Sequence, residues 1–126
     1  MSDLIQFQKR IAIWMRETLP EAVGLTHERG LRFIEEAVEL VQAIGLSDAD
    51  VHRVVDYVYG RPIGSAWQEV GGTMVTLAAL CEAAAVDLDA AAMGEAQRIE
   101  LPEIRLKVQR RQAEKRRVLG LTKDGL

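Results

Sequence analysis

The run Glu35-Glu36-Ala37-Val38-Glu39 sets three carboxylates within five residues, and thirty positions later a lone Glu69 stands in an otherwise almost uncharged apolar stretch. On a helix, like charges at four-residue spacing such as Glu35 and Glu39 destabilise the isolated element by roughly 0.2–0.5 kcal/mol. A cation that gathers the acids would offset that cost. Carboxylate oxygens gathered in this way are suited to hold a metal ion. Glu39 carries the point best, because no basic residue lies three or four positions away on either side. The competing explanations are a solvated helix face, with Arg32 pairing Glu28 and Glu36 at four-residue spacing, and an inward salt bridge from Glu69 to an arginine.

These acids need elements to hold them. Aromatics make up 5% of the chain and alternating β-branched runs are missing, so the pattern predicts an all-α fold, a bundle of about five to six helices. The first covers about Asp3 to Thr18, with Leu4, Phe7, Ile11 and Trp14 on one stripe and Pro20 behind it. Thr26 is a candidate cap for a second helix ending near Gly45, and Ser47 with Asp50 resembles a capping box opening a third through Tyr59. Gly60 to Gly64 reads as a loop, a fourth helix spans about Ala66 to Ala85, Asp87 caps a fifth, and a sixth follows Pro102 to about Leu119. Between Ala66 and Val86 only Glu69 and Glu82 carry charge, so the fourth helix is expected to be buried nearly all round, with Glu69, Thr73 and Thr76 facing a polar cavity. Gly71-Gly72 would cost roughly 1 kcal/mol each relative to alanine, which close approach of a neighbouring backbone or ligand would explain. A helix apolar on every side needs more cover than six short helices supply, so a homo-oligomer, dimer or tetramer, is expected.

At 126 residues the chain fits a single domain, taken as 1–119, with 120–126 as a frayed tail. The apolar run from Val70 to Val86 is interrupted by Gly71, Gly72, Thr73, Thr76 and Glu82, so no membrane span is expected, and the acidic and polar N-terminus lacks the pattern of a signal peptide. A cytoplasmic location follows. The single cysteine, Cys81, permits no internal disulfide and reads as a small buried hydrophobe. Net charge is −3, yet Arg105, Lys107, Arg110, Arg111 and their neighbours make the C-terminal segment basic. With no aromatics interleaved there, a solvated face is favoured over nucleic-acid binding.

At these residues the chain resembles the all-α nucleoside triphosphate pyrophosphohydrolases, the MazG and dimeric dUTPase group, whose signature sets E-E-x-x-E on one helix and E-x-x-D on the next. The first half stands intact as Glu35-Glu36-Ala37-Val38-Glu39; the second reads Glu69-Val70-Gly71-Gly72, with glycine where aspartate is expected. The resemblance runs from Leu4, Phe7, Gln8 and Trp14 through Asp87-Leu88-Asp89. It implies a MazG-like bundle in which Glu36, Glu39 and Glu69 bind Mg²⁺, or Mn²⁺ in its place, and Glu35 orients or deprotonates the attacking water. The reaction implied is water attack on the α-phosphorus of an NTP or dNTP, releasing a monophosphate and pyrophosphate. Arg61, Arg98, Lys107 and Arg110 are candidates to hold phosphates, and Trp14 to stack the base, beside its reading as a core residue. Loss of the acid at Gly72 leaves the alternative of an inactive nucleotide-binding or protein-interaction module.

Overall fold

The computed structural model describes residues 2–121, and these form six α-helices and one short 3-10 turn, without a strand among them: α1 Asp3–Thr18, the turn Pro20–Ala22, α2 Thr26–Ala43, α3 Asp48–Tyr59, α4 Ala66–Ala83, α5 Leu88–Glu100 and α6 Pro102–Val118. No helix is long and apolar enough to cross a membrane. Local chemistry accounts for most boundaries. Ser2 accepts from the Ile5 amide, Ser47 and Asp50 form the expected capping box, Ser65 accepts from Gln68, and Asp87 Oδ1 accepts from Ala90 at 2.9 Å. Thr26, expected as a cap, is instead the first helical residue of α2.

Three helices end alike. Gly45 after α2 and Gly120 after α6 take left-handed φ angles of 102° and 78°, and the amide that follows each reaches back to the helix, Leu46 to Val41 O at 3.0 Å and Leu121 to Arg116 O at 2.6 Å. After α4 the same position falls to Ala85 (φ 57°), with Val86 N donating to Cys81 O at 2.9 Å. The helix therefore stops at Ala83, short of the Ala85 expected. Leu121 is buried, and residues 122–126, most of the tail expected to fray, lie outside the described residues.

The chain divides into two compact units, one formed by the chain up to Phe33 and from Ala92 onward, the other by Ile34–Ala91. The first holds a small core of Trp14, Leu19 and Ala22, with Met15, Ile99 and Val108 packed against it. Trp14 Nε1 donates to Ile99 O at 2.7 Å, which satisfies the one polar group the indole carries inward. Polar contacts fasten α6. Arg105, Gln109, Gln112 and Arg116 recur at 4-3-4 spacing along one stripe, and they reach Glu17, the Thr18 carbonyl and, for the last two, Glu28. This is why its apolar residues mark no clean face. In the second unit no residue of α3 is buried, and of α4 only Cys81 is.

Candidate functional site

All four acids of the motif belong to the second unit, which carries ten acidic residues against two arginines, Arg53 and Arg61. Glu36, Glu39 and Glu69 are exposed and Glu35 is half-buried. Glu36, Glu39 and Glu69 make no ion pair among the described residues. The oxygen donors are the right chemistry for Mg²⁺. Among the described residues, however, no three of His, Cys, Asp or Glu come together closely enough to hold an ion, so one chain does not gather Glu36, Glu39 and Glu69 around one point. On α2 alone the acids fan out by about 100° per residue, and a second element must converge on them to build a site.

The expectation that α4 is buried all round does not hold for the single chain. Trp67 is 88% exposed, Val70 66% and Val75 69%, and Glu69 stands at the surface, where sequence alone placed it in a polar cavity. Thr73 and Thr76 turn their hydroxyls back to carbonyls of their own helix, Glu69 O at 2.8 Å and Gly72 O at 3.0 Å. Close approach does not explain the paired glycines here either, since a Cβ added at Gly71 or Gly72 would meet nothing within 4 Å. Gly64 is the glycine that is crowded: a Cβ there would lie 2.6 Å from Glu69 Oε1, so the loop before α4 runs directly against that carboxylate.

Of the cations proposed for phosphate, Arg98 is engaged by Glu95 through two contacts of 2.8 Å. Lys107 and Arg110 are exposed on α6 in the first unit. Arg61 alone shares a unit with the acids, and its guanidinium lies 4.9 Å from the centre of the Tyr57 ring. Trp14 takes the core role, and it also lines an open cleft of about 430 Å³ in the first unit. That cleft is edged by two ion pairs, Arg10 with Glu100 at 2.6 Å and Arg105 with Glu17 at 2.9 Å. Hydrogen bonding to Arg10 holds the Glu100 carboxyl below the usual carboxylate range.

Glu28, which the helical wheel sets on the solvated face, is 2% exposed. Its oxygens accept from Arg116 Nε at 2.8 Å and from Gln112 Nε2 at 2.9 Å, with Arg29 3.8 Å away. The hydrogen bond from Arg116 lowers the Glu28 pKa against the opposing effect of burial, and burial also pulls Arg29 down. Periodicity within α2 gives no sign of this partner, which lies 88 residues away. The 4-3-4 polar stripe on α6 was the available signal. No family model, curated protein or solved structure matches the chain.

Proposed function

We propose that the chain is a Mg²⁺-dependent nucleoside triphosphate pyrophosphohydrolase, with Mn²⁺ as a substitute, that converts an NTP or dNTP to its monophosphate and pyrophosphate. The observation that carries the reading is a set of exposed carboxylates, Glu36, Glu39 and Glu69, left without cationic partners in a unit where acids outnumber arginines ten to two. Mg²⁺ bound there would neutralise phosphate charge and acidify a bound water. Glu36, Glu39 and Glu69 supply its oxygen ligands, and Glu35 orients or deprotonates the water. A cytoplasmic setting suits this chemistry, and the family resemblance in the acidic motif supports it.

Because a single chain does not bring the acids together, the site is completed on association with a second copy, in a dimer or tetramer. Trp67, Val70 and Val75 on α4 are left exposed on the single chain, an apolar surface that a second copy would cover.

The test is pyrophosphate release across a panel of NTPs and dNTPs with Mg²⁺ or Mn²⁺ at high enzyme concentration, with Glu39→Gln as the control. Metal-dependent release that the variant loses is the expected result. Without such release the enzyme reading falls, and the chain is a nucleotide-binding or protein-interaction module, as the missing acid at Gly72 would favour.

A further inference from the structure

Arg61 is out of character for its surroundings. In an acid-rich unit an arginine normally takes a carboxylate, as Arg53 does with Asp50. Arg61 makes no ion pair among the described residues and lies instead over the Tyr57 ring, 4.9 Å from its centre. A ring engages a guanidinium through its charge and uses none of the five N–H donors, which lie in the guanidinium plane. The backbone underneath is fixed. Gly60 N donates to Asp56 O at 3.1 Å and Arg61 N to Val58 O at 3.2 Å, which ties the turn to the end of α3. Pro62 follows directly and restricts the Arg61 backbone to extended conformations. Three residues on, the loop lays Gly64 against the Glu69 carboxylate. One short loop thus carries a donor fork without a carboxylate partner and abuts an acid without a cation.

We propose that Tyr57 is a positioning residue that holds Arg61 as the phosphate anchor of the site, presenting its N–H fork to the polyphosphate of a metal-bound nucleotide beside Glu69. The inference rests on the pyrophosphohydrolase reading and adds to it the residue that pre-organises the anchor. The ligand must bring a divalent cation with its phosphates, since bare polyphosphate would be repelled by the surrounding carboxylates.

Isothermal titration of magnesium tripolyphosphate, which has phosphates and no base, into the full chain tests the anchor apart from turnover. Tyr57→Ala is expected to weaken binding by about two- to fivefold, the worth of an exposed cation–π contact, and Tyr57→Phe to restore most of it. Arg61→Ala should weaken binding further, and the double variant no more than Arg61→Ala alone, because the ring acts through the guanidinium. In nucleotide turnover Tyr57→Ala should raise KM and leave kcat nearly unchanged. Tyr57 is 63% exposed, so its melting temperature should stay within a degree or two of wild type, on the order expected for a surface change. A wild type that turns over nucleotide while Tyr57→Ala binds tripolyphosphate equally well overturns the anchor alone, as do losses that multiply in the double variant. A wild type with neither binding nor turnover overturns the anchor and the enzyme reading together.

Discussion

Glu28 and Glu39 lie on one helix, and their surroundings set them to different work. Glu28 is closed in by Arg116, Gln112 and Arg29, whereas Glu39 stands exposed with no cation beside it. The first is a structural carboxylate and its effect on stability can be stated with a sign. Its folded pKa lies below the ordinary value, so the contribution of the pair is fully present above the unfolded glutamate range and disappears as pH falls through the folded value. Glu28→Gln should lower stability at neutral pH by about 1.5–3 kcal/mol, the worth of hydrogen bonds to a charged group. Urea midpoints at pH 7 and pH 3 provide the check. Wild type should lose more stability than the variant between the two, and equal losses would mean that Glu28 does not feel Arg116.

Among the elements, α4 departs furthest from expectation, and one residue just past its end and one within it invite substitution. Ala85 occupies the left-handed position that glycine fills after α2 and α6. A non-glycine residue pays about 1–2 kcal/mol there, and glycine gives back about 0.5–1 kcal/mol in lost chain freedom. Ala85→Gly should therefore stabilise the protein by about 0.5–1 kcal/mol, read as a raised denaturation midpoint; a lowered midpoint would contradict the left-handed geometry. Gly72 is the second. A side chain added there meets open space, and it lies one helical turn from Glu69. Gly72→Asp should fold normally and tighten Mg²⁺ binding in a titration, whereas unchanged or weaker affinity in a folded variant would separate position 72 from the metal.

At the scale of the whole molecule the apolar surface is the dominant fact. Ile63 is fully exposed, Trp67 88%, Tyr59 84% and Val70 66%, all in the acidic unit, where solvated polar faces alone do not account for them. Light scattering at micromolar concentration should give at least the mass of a dimer. A strict monomer would leave these side chains in water and remove the assembled site.

The six helices were legible in the sequence because the forces that delimit them act over a few residues: the Ser47–Asp50 capping box, the breakers between Gly60 and Gly64, and Pro102 at the first turn of α6. The acidic motif and its place on two separate helices, α2 and α4, were legible for the same reason. What the tertiary structure decided is which charges are spoken for. Arg116 and Arg105 leave the basic cluster to hold Glu28 and Glu17, Trp14 is committed to the core, and Arg61 rests on Tyr57. The contacts of Arg116, Arg105 and Trp14 span 85 to 88 residues, a separation on which helical periodicity carries no information. The apolar pattern of α4 specified that the helix should be covered, and a pattern of side chains cannot say whether the cover comes from the same chain or another.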